Sequence, residues 1–368
     1  MPFLLSDEQQ QISREARKLL TDLYSGARLR ACLESKGAYD EVFWSACQEM
    51  GWTGVTVPEA YGGLALSPVE LCLIAQECGR ALGGAPFLAG SFAVGDAVRL
   101  WGDETGKNAY LPGIASGELK GALALGEQAG EAISDAPETR LKDGLLYGIK
   151  SSVVGGAAAD IAVVLAADPA QEPVLAVVDL HAATVARKAL PTLDNSRCTA
   201  DLTFSAVPAA RLECRNALDA AHGLLQRAAL VTAFEQLGGA EACMEMARDY
   251  AIQRQAFGQP IGKFQAIKHK IAEMYVLNEL ARGAAMRAAL SLAADLPDFA
   301  LRAAAARIAA SEAYEYAAGE AIQVHGAIGV TWEHDLHLHY RRARANALEL
   351  GAMAMWEDLI VDALAENA

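Results

Sequence analysis

The sequence predicts an α+β protein in three parts. These are an all-helical N-terminal domain over residues 1–118, a middle β-barrel or sandwich domain over 119–214, and a C-terminal four-helix bundle over 215–368. Three observations lead there. Helix-period apolar spacing with cap residues, and no strand pattern, fills the first third. Short apolar runs bounded by Gly, Asp and Pro fill the second. From Ala217 onward the chain is Ala-rich, and its helical pattern is interrupted only three times.

The totals are compatible with this. A chain of 368 residues suits two or three domains, and 53% hydrophobic against 21% charged residues supplies a large core. No run reaches the roughly 20 apolar residues of a membrane span. The start, MPFLLSDEQQQ, lacks the basic and apolar regions of a secretory leader. A net charge of -15 argues against nucleic acid, which is held largely by Lys and Arg. Seven scattered Cys with no C-x-x-C pair read as reduced thiols of a cytoplasmic protein.

In the first domain, Ser6 with Asp7 and Glu8 caps a helix that carries Ile12, Ala16, Leu19, Leu20 and Leu23. A second helix is expected over residues 39–50. The Gly- and Pro-dense GWTGVTVPEAYGG that follows must be a loop. Ser67, Pro68 and Glu70 open the next helix as cap, first helical residue and capping-box partner. It carries Leu71, Ile74 and Cys78 and ends near Gly79. Two more helices are expected over 92–100 and 106–116.

In the middle domain, residues 122–125, 145–149, 161–165, 174–178 and the Leu202–Phe204 region read as strands. No G-x-G-x-x-G follows a strand, so a Rossmann unit is excluded. The last domain gives helices over about 217–254, 264–294, 299–325 and 333–366, an antiparallel bundle with short links.

Chemistry concentrates at two of those links. The first, within RDYAIQRQAFGQPIGKFQAIKHKIAEM (248–274), brings Arg254, Phe257 and Gln265 around a turn. A fork donor, a ring and an amide suit a planar, phosphate-bearing ligand. The second, QVHGAIG (323–329), has Gln323 and Gly326, where small residues allow close backbone approach before a helix N-terminus. His334, Asp335, His337 and His339 suggest a metal, but His337 and His339 do not share a helix face, so no metal is assigned.

These motifs resemble the acyl-CoA dehydrogenase family across essentially the whole chain. M-G-W-x-G-x-x-V-P-E-x-Y-G-G (50–63) and Gly117-Glu118 resemble its N-terminal helical domain, R-x-x-F-G with a following Gln resembles its FAD motif, and Q-x-x-G-A-x-G resembles its Q-x-x-G-G-x-G. The resemblance implies an FAD flavoprotein that oxidises the α,β bond of an acyl-CoA and hands electrons to a partner protein. Arg254, Phe257, Gln265, Gln323 and Gly326 would hold the ADP half of FAD across a subunit interface, which implies a homo- or heterotetramer. The flavin-ring half matches less well. Glu127 and Lys150 match, with Gly130 beside them, while Ser152 stands where Trp is usual and Val154 where a hydroxyl is usual.

The family's catalytic carboxylate has two usual places. Here they hold Leu350 and Ala228, with Glu349 one residue and Glu235 seven residues away. Glu349 is therefore the candidate base, and an ordinary helix position is its alternative. Three readings stay open. The chain is a self-sufficient dehydrogenase, or the base-lacking subunit of a heteromer that completes a partner's FAD site. The third is a flavin enzyme of another reaction, such as an oxidase.

Overall fold

The computed structural model describes residues 5–83 and 90–366. Residues 1–4, on which the reading of the N-terminus partly rests, lie outside them. Six helices come first: α1 (Asp7–Leu23), α2 (Gly26–Glu34), α3 (Glu41–Glu49), α4 (Pro68–Arg80), α5 (Phe92–Trp101) and α6 (Glu104–Ser116). The expected cap at Ser6 and capping box at Ser67 are present, and Ser6 also forms a capping box that the sequence reading did not name. Ser6 caps α1 with Gln9, and Ser67 caps α4 with Glu70. Helix α2 was not expected from the sequence. It is only nine residues long, and its start is fixed by Ser25 accepting from Arg28 N.

Seven strands follow: β1 (Gly121–Ala124), β2 (Arg140–Lys142), β3 (Leu145–Val153), β4 (Ile161–Ala167), β5 (Pro173–Asp179), β6 (Val185–Ala189) and β7 (Ala200–Arg211). Pairing runs β4–β2–β3–β7–β5 and returns from β5 to β4, which closes a ring. The sheet is therefore a barrel, with β1 beside β4 and β6 beside β7. Strands β2 and β6 escaped the sequence reading. β2 has three residues, and β6 has no fully buried residue to give an apolar run.

The bundle consists of α7 (Ala217–Gln253), α8 (Gln265–Ala293), α9 (Phe299–His325), α10 (Leu336–Leu348) and α11 (Met353–Glu366). The single helix expected over 333–366 is in fact two. Glu349 is the C-cap of α10, and Leu350 and Gly351 take φ of 59° and 102°. Gly351 permits that reversal, and it drags Leu350 into the left-handed region with it. A two-stranded hairpin, β8 (Gln255–Ala256) with β9 (Gln259–Pro260), makes the turn between α7 and α8.

Helix α7 is the spine. Its residues Leu230, Phe234, Leu237 and Ala240 share one core with α4, α8 and α9. Helices α4 and α7 touch backbone to backbone at two glycines. A Cβ on Gly79 would lie 1.8 Å from Glu235 O, and one on Gly238 would lie 1.7 Å from Gln76 O. That close approach presses the N-terminal helices onto the segment of α7 that carries Glu235.

Candidate flavin and acyl-CoA site

The two glycine-containing links lie on one face of the chain. Tyr250, one turn before Arg254, stacks on His325 with ring centroids 4.2 Å apart. His325 sits between Gln323 and Gly326 and meets the His334 ring edge-on at 4.9 Å. Arg254 is the C-cap of α7, and its guanidinium is exposed. Phe257 is at the hairpin tip, 96% exposed and with φ of 52°, braced only edge-to-face by Phe264. Gln265 begins α8, a 29-residue helix with no side-chain cap and no acidic residue in its first turn. Its free N–H groups and the adjacent Arg254 suit a diphosphate. Gln323 and Gly326 are exposed, and nothing lies within 4 Å of a Cβ built on Gly326. The donor set thus fits the ADP half of FAD.

The four residues that suggested a metal are occupied otherwise. Asp335 pairs with Arg30, His337 stacks on Trp332, and His339 is buried against the Tyr314 hydroxyl at 2.9 Å. Among the described residues, no group of three or more His, Cys, Asp or Glu could hold a metal ion.

A cavity of about 500 Å³ lies at the far end of α10, between the barrel and the turn after α10. Helix α10 has 13 residues and a length of about 20 Å, and it runs from the segment after the Gln323–Gly326 link to this cavity. None of Arg254, Phe257, Gln265, Gln323 and Gly326 lines this cavity. Leu125, Val153, Val154 and Leu350 give the cavity an apolar wall, and Ser151, Ser152, Thr192 and Thr199 add hydroxyls. Ser151 and Ser152 reach it through an irregularity in the β3–β7 pairing between Lys150 and Val153, where Ser152 has φ of 53°. A cavity of this size and lining accommodates a flavin ring.

Glu127 and Lys150, the two family matches in this half, are bonded to each other. Lys150 Nζ is fully buried and donates to Glu127 Oε1 at 2.8 Å and to Leu125 O at 3.1 Å. Glu127 also accepts from Glu138 N and Thr139 N. Burial opposes its charge, but Lys150 and the two amides outweigh burial and hold the carboxyl at about 2. The pair fixes the cavity wall.

Two carboxylates line the cavity, Glu131 and Glu349. Glu131 Oε2 accepts from Glu127 N and Gln128 N. Glu349, 9% exposed, meets Arg197 in a fork: Nε to Oε1 and Nη2 to Oε2, both at 2.8 Å. Behind Arg197 lies Glu235, wholly buried, whose Oε1 accepts from Arg197 Nη1 at 2.9 Å and Arg342 Nη1 at 2.8 Å. Arg342 also holds Asp194 at 2.5 Å and the Leu82 and Gly83 carbonyls. Arg307 donates to the carbonyls of Asn346 and Glu349, and so fixes the end of α10. Three carboxylates and three guanidiniums are thus buried together. Burial works against the Arg197 charge, but Glu235 and Glu349 outweigh it and raise its pKa. Arg307 has no facing carboxylate of its own, and burial pushes it down to about 10. Ala228, the alternative family position for the base, is buried on α7.

The network escaped the sequence reading. Nothing in the spacing of the sequence ties Arg197 to a residue 152 positions away.

Two family models match the chain, the acyl-CoA dehydrogenase N-terminal domain over residues 6–118 and its C-terminal domain over 218–365. The acyl-CoA dehydrogenase IpdE2 of Mycobacterium tuberculosis is 34% identical over 342 residues, which is 92% of this chain and 92% of that protein. Among solved structures, butyryl-CoA dehydrogenase from Megasphaera elsdenii superposes with a TM-score of 0.89 at 24% identity, covering 99% of this chain and 100% of the other. The Tcur3481–Tcur3483 steroid ACAD, a G363A variant, gives 0.88 at 28% identity and covers 98% of each.

Proposed function

The chain belongs to the acyl-CoA dehydrogenase family, and from that premise we propose that it serves as the base-lacking subunit of a heteromeric, FAD-dependent enzyme. FAD is the family's cofactor; when bound, it accepts the hydride from the β-carbon of an acyl-CoA. On this reading, Arg254, Phe257, Gln265, Gln323 and Gly326 grip the ADP half of a cofactor whose ring and base belong to a neighbouring, related chain.

The observation that carries the reading is the Arg197–Glu349 fork. A general base needs a free lone pair aimed at the proton it removes. Both oxygens of Glu349 accept from a buried guanidinium, so the lone pairs that remain are fixed in direction and cannot be turned towards a ligand without parting the fork. The ADP-side residues lie on exposed links and do not line the cavity, which supports sharing between chains. So does the name of the Tcur3481–Tcur3483 steroid ACAD, which joins two components. Seven free cysteines suit a reducing compartment such as the cytoplasm.

A second reading, catalysis by this chain with Glu349 as base, is favoured by one fact: Glu349 lines the cavity. Co-purification with a base-bearing paralogue separates the two. The subunit reading expects acyl-CoA oxidation only in the mixed complex, abolished by Arg254→Ala in this chain. Oxidation by this chain alone, lost in Glu349→Gln, establishes the second.

A further inference from the structure

The Gln323–Gly326 link is held from outside the bundle. Behind it the chain makes a tight series of turns. Gly329 packs back on α9, where a Cβ built on it would lie 3.2 Å from His325 Cβ and from Ile322 O. Thr331 donates to the Ile328 carbonyl from both N and Oγ1, His334 N donates to the Thr331 carbonyl, and the His334 ring meets His325 edge-on. The last of these turns, Trp332 to Asp335, presents three acceptors to one side chain of the N-terminal domain. Arg30, on α2, donates from Nε to Trp332 O at 2.7 Å, and from Nη2 to Glu333 O at 3.0 Å and Asp335 Oδ1 at 2.6 Å. Helix α2 comes this close because residue 26 is glycine. A Cβ there would lie 2.5 Å from Asp335 Oδ1 and 2.6 Å from Arg30 Nη1.

The other end of α2 is tied to the barrel. Asn195, in the short helical turn that carries Arg197, donates from Nδ2 to Leu33 O at 2.7 Å. Leu29 packs with Leu82 and Leu338 between the two ends. Helix α2 is thus a fixed brace, and Arg30 is the arm it extends to the link. His337 shares the Trp332 carbonyl at 3.1 Å, so the turn keeps one support when Arg30 is removed.

We propose that Arg30 is a positioning residue for the cofactor. It fixes the Trp332–Asp335 turn, and through the His334–His325 contact it keeps Gln323 and Gly326 in the arrangement that meets the nucleotide. This rests on the reading that Gln323 and Gly326 hold the ADP half of FAD. A planar guanidinium reaches three acceptors at fixed angles, which a single ammonium on a flexible stem does not. Arg30 acts through the link, so what it sets is the fraction of molecules in which the link is ready. An apparent dissociation constant rises in inverse proportion to that fraction. If loss of Arg30 leaves the link ready in about a tenth of molecules, FAD binds about tenfold more weakly.

The test uses the full chain in the oligomer it forms, purified through a tag on this chain, titrated with FAD and followed by flavin fluorescence. The oligomer keeps whatever chains it contains, so the result does not depend on which of them bears the base. Arg30→Met is expected to weaken FAD about tenfold. Gln323→Ala is expected to weaken it as well, and R30M/Q323A to fall short of the product of the two single effects, because both changes act at one link. Arg30→Lys is expected to lie between wild type and Arg30→Met, and it serves if Arg30→Met does not fold. FAD affinity unchanged in Arg30→Met while Gln323→Ala weakens it overturns the proposal and leaves the reading of the link standing. Effects that multiply in full also overturn it, since a general loosening of the chain acts independently of Gln323. Full affinity in Arg30→Lys overturns it too, because charge alone would then suffice. Wild type that binds no FAD, or Gln323→Ala that binds it as wild type does, overturns the reading of the link and the proposal with it.

Discussion

Arg197 and Glu349 close the cavity floor as a two-pronged pair, each prong 2.8 Å long, across 152 residues of chain. One partner comes from the short helical turn between β6 and β7, the other from the C-cap of α10. The pair therefore joins the barrel to the bundle at the edge of the cavity.

Breaking that pair from one side should be costly. Glu349→Ala leaves the Arg197 guanidinium buried with Glu235 as its sole carboxylate partner. A loss of roughly 3–5 kcal/mol in denaturant unfolding is expected. The double replacement Arg197→Met with Glu349→Met should cost clearly less than the sum of the single changes, because it removes both charges together.

The Lys150–Glu127 pair should give a second signature, in acid. The Glu127 carboxyl is held at about 2 when folded, against an ordinary 4.5. Its contribution is fully present above pH 4.5 and is lost as pH falls from there towards 2. Glu127→Gln should be destabilised at pH 7, since Lys150 is left buried with only the Leu125 carbonyl. Its stability should then depend less on pH between 4.5 and 2 than that of wild type, as read by urea unfolding across that range.

His339 should act at a higher pH. Burial, with Arg342 and Arg80 nearby, lowers it from 6.5 to about 3. The unfolded chain takes up a proton below 6.5 that the folded chain refuses, so stability falls as pH drops from 6.5 to 3. His339→Gln is expected to flatten the upper part of that slope. It should also lower stability at pH 7 by perturbing the bond to Tyr314.

Much of this protein was legible in the sequence because its signals are local. The caps at Ser6 and Ser67, the Gly- and Pro-containing turns, and the Ala-rich helices gave the three-part α+β architecture. Arg254, Phe257 and Gln265 stood out because they surround one turn. What escaped was long-range or short. Helix α2 and strands β2 and β6 are brief, and the split between α10 and α11 rests on one glycine after a residue with φ of 59°. The Arg197 network assembles from segments more than a hundred residues apart, and no periodicity records that.

Phe257 separates assembly from folding. At 96% exposure it contributes little packing to the lone chain. Phe257→Ala should leave the thermal unfolding of the isolated chain nearly unchanged, within about 0.5 kcal/mol. In the mixed complex it should weaken FAD retention, measured as flavin released on gel filtration.

On the proposed reading, this chain shares a cofactor site and does not catalyse alone. The most direct measurement is the visible spectrum of the chain purified by itself, titrated anaerobically with acyl-CoA. The account predicts less than one FAD per chain and no substrate-dependent bleaching. A fully yellow homomer that bleaches on adding acyl-CoA would contradict it.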